Sequence, residues 1–479
     1  MSITSETLSN PIKFALPKGR LMASTAILLK NIGLGFNDYS DKSRQYNLKS
    51  ERFTTVSAKV FQEKDIPIQI AIGNYDLGIC GLDWIEELTA RYPASALIKI
   101  TNLGYGEGSV YLATSYHTGV LNRDDLQTKD YDWSIVSEYP NLAQACALAR
   151  RLRKFRIFPV WGASQAYPPE NADLAILWTQ SERTLERYGL IPVEELIPSA
   201  AYLIGNRDSL ENKKLDTVLK CFGNSNFCSK EIKAVPERRK TAIPVISLSN
   251  WQMKKIKLAL PDGHQQKHTT NLLQKVGLNI KGYAENVTVR PETDFDWLGI
   301  KVIRPQDMPL QVANGNFDLA VTGLDWLTEH LYRYPASPAV KLMDLKFGKV
   351  RIVAAVSQSM PVDTIADLKK FISDRKNIPL RVASEYVNTS DKYLRENHIQ
   401  PYKLIPTWGA SEAFIPEDAD LLIDNAETGK TLEKHKLKVI DVIFESTACM
   451  IGNKDILNDP EKKDKVEFLV QMLEKGLLC

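Results

Sequence analysis

The sequence predicts an α/β protein made of two tandem copies of one module, each with mostly parallel sheets covered by helices. Three observations carry this. Blocks of closely similar sequence recur once, in the same order, along the 479 residues. Within each block short apolar runs alternate with helix-like stretches, the pattern of a parallel sheet with crossover helices. The chain is also too long for a single hydrophobic core.

The repeat is collinear. "IQIAIGNYDLGICGLDWIEEL" with "RYPAS" (68–95) returns as "LQVANGNFDLAVTGLDWLTEH" with "RYPAS" (310–337), so Trp84 and Trp326 stand 242 positions apart. "FALPKGR" (14–20) pairs with "LALPDGH" (258–264), "WGASQAYPPENADLAI" (161–176) with "WGASEAFIPEDADLLI" (408–423), and "SAAYLIGN" (199–206) with "STACMIGN" (446–453). Such internal similarity outranks residue-level cues as a guide to organisation. It predicts a first copy at 11–206, a linker at 207–253, a second copy at 254–453 and a helical tail at 454–479.

Taken in order, "IKFAL" and "IKLAL" are apolar runs ending in Pro-x-Gly, followed by "TAILLKNIGL" and "TNLLQKVGL". That reads as strand, turn, and helix closed by Gly. "YDLGIC", "SVYLATS", "DWSIVS" and "ADLAIL" read as buried strands between helical stretches such as "PNLAQACALARRL". Two small sheets per copy with a cleft between them fit the length. Ligands of such sheets bind where strand C-terminal ends gather their loops. The segment 207–253, with its "PERRK" run, has no sustained apolar period and reads as a helix remnant plus linker. "KVEFLVQMLEKGLL" in the tail has helical spacing.

Composition excludes several classes. Hydrophobic residues at 44% and charged residues at 25% match a soluble globular protein. A formal charge of +3 does not call for nucleic acid, so any anion site must be local. No apolar run approaches membrane-spanning length, and residues 1–10 lack an export signal, so the cytoplasm is expected. The six cysteines contain no C-x-x-C pair, which argues for reduced thiols. His264 and His268 are four apart with no third ligand in view, and no Ser-His-Asp or Cys-His pattern appears.

The sharpest motif is Asp424-Asn-Ala-Glu427-Thr428-Gly429-Lys430-Thr431, placed at a strand end and opening a helix. Gly lets backbone approach an anion, while two hydroxyls and free N–H groups donate to it. "TGKT" matches the end of a Walker A loop, but that loop needs Gly where Asp424 stands, so the ATPase reading fails on spacing. A carboxylate ahead of a phosphate cradle suits a sugar phosphate, Asp424 accepting from ribose hydroxyls. An ordinary capped helix start would give the same letters. Lys18 and Arg20, in Pro-Lys-Gly-Arg, put two cations on a turn entering a helix, able to neutralise a polyphosphate or simply solvated. Gly81-Leu-Asp83 and Gly323-Leu-Asp325 are strand-end turns that either line the cleft or cap a helix. Trp84, Trp161, Trp326 and Trp408 read as core anchors beside these loops.

Together, "ALPKGRL", "EKDIP", "DLGICGLDW", "LGYGEGSVYLA", "YPNLAQ" and "ADLLIDNAETGKTLEKHKL" resemble, in order, the signature segments of the ATP phosphoribosyltransferase family. The resemblance covers nearly all of both copies. It implies a two-lobed module akin to type II periplasmic binding proteins. It also implies the first step of histidine biosynthesis: N1 of ATP displaces pyrophosphate from phosphoribosyl pyrophosphate, with Mg²⁺ as bridging ion. By resemblance Glu427 to Thr431 would hold the 5-phosphate, Asp424 the ribose, and Lys18 and Arg20 the polyphosphate groups. Arg304 matches an arginine that in the family helps bind the leaving group.

The departures are complementary. The first copy keeps Lys18 and Arg20, but its cradle reads "LWTQSERT" (177–184), with Leu177 for Asp424 and Glu182 for Gly429. The second copy keeps the cradle but has Asp262 and His264 for the two cations, and the first has Gln62 where the second has Arg304. One shared site per chain is therefore expected, with the other cleft degenerate or regulatory. Substrates would be ATP and phosphoribosyl pyrophosphate, with neither nucleic acid nor membrane as partner. A homo-oligomer or a regulatory partner subunit stays open, and histidine inhibition through the family's long-form regulatory domain is not expected. Two rival readings are a non-catalytic binding or regulatory paralogue, and a phosphoribosyltransferase with another acceptor.

Overall fold

A computed structural model of the chain describes residues 11–40, 47–50, 52–53, 55–120, 122–128, 132–223, 256–283, 290–375 and 378–478. Of the segment read as helix remnant plus linker, Arg207–Asn212 and Asp216–Gly223 are helical; residues 224–253, including "PERRK", lie outside the described residues. The tail forms a helix at Pro460–Leu478.

Each copy folds into two lobes, each built on one sheet. In the first copy, Ile12–Lys18 lies between Val56–Gln62 and Leu77–Gly81, both parallel to it. The second-lobe sheet holds Gly108–Ser115, Asp132–Ser137, Lys154–Pro159, Leu174–Thr179 and Leu190–Ser199. The second copy repeats this on Ile256–Pro261 and on Val350–Ser357 with their neighbours. In each of the four sheets most strands run one way, and a reversed strand is inserted among them. Its origin is topological. Ala201–Asn206 and Ala448–Asn453 return from the second lobe and enter the first-lobe sheet antiparallel to both neighbours. The chain thus crosses between lobes twice per copy, which places a cleft at the strand ends.

The copies pack head to tail. Ala15, Phe61 and Ile66 from the first lobe of copy one share an apolar core with Val353, Phe414 and Leu422 from the second lobe of copy two. Phe61 and Phe414 meet edge to face with centroids 5.3 Å apart. The reciprocal core joins Tyr167 and Val136 to Met308 and Phe317. Polar contacts obey the same pseudo-twofold. Buried Lys59 reaches Glu417 at 2.9 Å and Asp418 at 3.0 Å, and buried Lys301 reaches Glu170 at 2.7 Å and Asn171 at 2.8 Å. Residue i meeting j while j′ meets i′ is the signature of an isologous dimer interface, here within one chain. Removing one partner of such a buried pair strands a charge, at a cost of about 3–5 kcal/mol.

Candidate functional site

In the first copy, strand Ile12–Lys18 delivers the cationic turn, with Gly19 at φ +89° before the helix Met22–Asn31. Arg20 donates to Glu63 at 2.9 Å and to both oxygens of Asp83 at 2.6 and 2.8 Å. Its guanidinium also lies 4.0 Å from the Trp178 ring centroid. Burial pushes the Glu63 carboxyl up to about 7, against the pull of Arg20. Asp83 is fully buried and further accepts from Tyr139 at 2.7 Å and Ser199 at 2.9 Å. Gly81 caps the helix Leu82–Arg91 that carries Asp83. Asp83 therefore acts on the cleft through Arg20 and Tyr139, from beneath its floor.

The second copy keeps this floor without the arginine. Asp325, in the helix Leu324–Arg333 capped by Gly323, accepts from Tyr386 at 2.6 Å and Ser446 at 2.7 Å, and burial pushes its carboxyl up. Tyr386 stacks on Trp326 at 4.5 Å and receives a hydrogen bond from Asn425 at 3.1 Å. Strand Leu421–Ala426 carries Asp424 and Asn425 into the cleft, and Gly429, at φ +75°, precedes the short helix Lys430–Lys434. Glu427, Thr428, Lys430 and Thr431 are exposed. The cradle is open. At the corresponding place in the first copy Thr179 and Ser181 tie a turn at 2.7 and 3.1 Å, Glu182 opens the helix, and Trp178 covers Arg20.

A cavity of about 480 Å³ lies between the copies, lined by Lys18, Arg20, Lys64, Arg304, Glu385 and Trp408 among others. It brings together the three cations expected from the sequence, Lys18, Arg20 and Arg304. The cradle residues Glu427 to Thr431 are not among its lining residues; they stand in the second copy's own cleft. Carboxylates connect the two regions. Burial pushes Glu412 up while Lys18, from the other copy, pulls it down. Burial likewise pushes Asp424 up to about 7, with Ser411 pulling down and Glu412 pushing further up. Glu385 is raised by burial and then by Asp424. Arg304 pairs with Asp262 at 2.9 Å, and its Nε stands 2.8 Å from where a Cβ on Gly162 would be. It thus belongs to the first copy's side of the cavity. Gln62 occupies the matching place beside Gly409.

Several contributors escaped sequence reasoning. Trp161 and Trp408 line the cavity, and Trp408 is 36% exposed, so neither is a plain core anchor. Their role follows from the pseudo-twofold, which brings the two Trp-Gly-Ala loops to one place. Glu138 and Glu385 precede Tyr139 and Tyr386 at matching positions of the copies, a signal visible only once the tyrosines are known to hold Asp83 and Asp325. Among the described residues no group of three His, Cys, Asp or Glu is placed to hold a metal, and no helix is long and apolar enough to cross a membrane.

Lobes of this topology, repeated in tandem and paired about a charged cavity, define a two-copy α/β protein with mostly parallel sheets. Sequence comparison specifies it further. The family profile described as HisG, ATP phosphoribosyltransferase, matches residues 62–223 and 304–475. The chain belongs to the ATP phosphoribosyltransferase family and is a transferase of histidine biosynthesis. It is 34% identical over 227 residues to the ATP phosphoribosyltransferase of Prosthecochloris aestuarii, an alignment covering 46% of this chain and 71% of that protein. The solved ATP phosphoribosyl transferase (HisG:HisZ) complex from Thermotoga maritima matches 46% of this chain and 98% of its own, at 22% identity and TM-score 0.38. The alkanesulfonate-binding protein SsuA from Xanthomonas axonopodis pv. citri, bound to MOPS, matches 47% of this chain and 73% of its own, at 10% identity and TM-score 0.32.

Proposed function

We propose that the chain transfers phosphoribosyl from phosphoribosyl pyrophosphate to N1 of ATP at one site per chain, shared between the copies. The observation that carries this is the cavity between copies, which joins the cationic turn of the first to Glu385, the neighbour of Asp424 in the second. Glu427 to Thr431 take the 5-phosphate on exposed hydroxyls and backbone N–H groups, and Asp424 accepts from the ribose hydroxyls. Lys18, Arg20 and Arg304 are the cations offered to the triphosphate of the acceptor, among the carboxylates of Glu63, Glu138 and Glu385. Asp83 and Asp325, with Gly81 and Gly323, hold the cleft floors in place. Displacement at the anomeric carbon needs no protein nucleophile: the N1 lone pair forms the new bond as the bond to pyrophosphate breaks. With no three-ligand cluster among the described residues, Mg²⁺ is read as part of the substrate, carried on phosphate oxygens with most of its water retained. A cytoplasmic setting follows from the substrates.

The experiment is direct. Purified chain with ATP, phosphoribosyl pyrophosphate and Mg²⁺ is expected to raise the absorbance of phosphoribosyl-ATP, and a Thr428→Ala/Thr431→Ala variant to lose most of that rate. Donor binding without turnover would sink the enzyme reading in favour of a binding protein. Turnover with another base alone would sink ATP as acceptor.

A further inference from the structure

Position 62 of the first copy corresponds to 304 of the second, and 64 to 306, so Gln62-x-Lys64 answers Arg304-x-Gln306. Each copy keeps one cation and one amide at these two positions, in opposite order. All four side chains line the cavity between the copies. Arg304 is engaged by Asp262 of its own copy and lies against Gly162 of the first, while Gln62 lies against Gly409 beside Glu385 of the second. Judged at this position alone, the cradle-bearing cleft has lost its cation.

Lys64 restores one. Its ammonium lies 5.1 Å from the Trp161 ring centroid and 5.3 Å from that of Trp408. No carboxylate among the described residues lies within ion-pair distance of it, although Asp65, Glu138, Glu385 and Asp307 surround it closely enough to oppose the burial that pulls the amine down. Glu385 in turn adjoins Asp424. A lysine resting on two indole faces gives up little when a stronger anionic partner arrives, because cation–π contacts are weaker than charge-assisted hydrogen bonds to phosphate.

We propose that Lys64 is the pyrophosphate-binding cation of the second cleft, supplied by the first copy across the interface to the donor whose 5-phosphate sits on Glu427–Thr431. This rests on the reading above that the cradle holds the donor. Negative charge grows on the leaving pyrophosphate as its bond to the anomeric carbon breaks, so a cation placed there binds the transition state more tightly than the ground state. Arg304 and Lys64 then divide the cavity, the arginine toward the acceptor and the lysine toward the leaving group.

The test combines calorimetric titration of Mg²⁺-pyrophosphate with steady-state kinetics. Lys64→Gln is expected to weaken pyrophosphate binding by about tenfold or more and to lower kcat more than it raises the KM for ATP, as loss of one charge-assisted contact would. Lys64→Arg should keep most of both. Gln62→Arg/Lys64→Gln, which writes the second copy's order into the first, should recover pyrophosphate binding, whereas a merely structural lysine would not be replaced from two positions away. Unchanged pyrophosphate affinity in Lys64→Gln, or no recovery in the double variant, would overturn the assignment. Calorimetry needs no turnover, so the two readings fail separately. Lys64-dependent pyrophosphate binding without product would sink only the transferase reading, and turnover with Lys64-independent binding only this one.

Discussion

At Asp424 burial decides when the carboxylate can act. Its folded value of about 7 stands above the ordinary value of 3.8, so the group is largely neutral in mild acid and becomes an anion only as pH rises through neutrality. A neutral carboxyl is a poorer acceptor for ribose hydroxyls than a carboxylate. The KM for phosphoribosyl pyrophosphate should therefore fall as pH is raised from about 6 to about 8. Asp424→Asn should raise that KM by about tenfold and flatten its pH dependence, since the amide does not titrate. A KM profile in Asp424→Asn as steep as in the unaltered chain would rule out Asp424 as the titrating group. The strand end and helix start at Asp424 to Thr431 were legible because the segment is contiguous and its cues are local. Lys64, Glu385 and Glu412 were not legible, because they meet only when the copies pack. The fate of Arg20 was half legible: the sequence marks it as a cation on a turn, but not that Glu63, Asp83 and Trp178 already enclose it.

At the scale of elements, the lobes of each copy are tied by one repeated device. Glu87, on helix Leu82–Arg91, accepts the N–H groups of Asn141 at 2.9 Å and Leu142 at 2.8 Å, at the start of helix Pro140–Ala149. Glu329 does the same for Asn388 at 2.7 Å and Thr389 at 2.8 Å, at the start of helix Val387–Glu396. A carboxylate from one lobe thus caps a helix in the other, satisfying orphan N–H groups and meeting the positive end of the helix dipole. Loss of such a cap costs about 1–2 kcal/mol. Glu87→Ala and Glu329→Ala should lower stability by similar amounts in chemical denaturation. Only Glu329→Ala should also weaken phosphoribosyl pyrophosphate binding severalfold, because the helix it caps belongs to the lobe of the proposed cradle. Equal effects on donor affinity would show that the second cleft has no privileged role. The alternation of strands and helices was readable from sequence because buried strands and amphipathic helices differ in period. The reversed strands Ala201–Asn206 and Ala448–Asn453 stood out only as repeat blocks, and their direction is settled by the chain's return from the other lobe.

For the whole molecule, duplication has turned a symmetric interface into an asymmetric machine. The cores shared by opposite lobes, and the matched Lys59 and Lys301 contacts, hold the copies in fixed relation, so each cleft is free to lose what the other retains. The first cleft lacks the groups proposed to hold a phosphoribosyl group in the second, with Leu177 at the place of Asp424 and Glu182 at that of Gly429. Trp178 lies on Arg20 at 4.0 Å, Thr179 and Ser181 close the turn, and Glu182 puts negative charge where an anion would sit. On the proposed reading the second cleft keeps the phosphate-binding loop, exposed at Glu427, Thr428, Lys430 and Thr431, and receives its cations from across the interface. Titration of the chain with phosphoribosyl pyrophosphate and Mg²⁺ should therefore saturate at one equivalent per chain, with a single enthalpy. Thr428→Ala/Thr431→Ala should abolish that one event, while Trp178→Ala should leave the stoichiometry at one, because Glu182 and Leu177 still replace the groups that bind phosphate and ribose. Two equivalents in the unaltered chain would mean that the first cleft opens to the donor, and the division of labour between the copies would have to be abandoned.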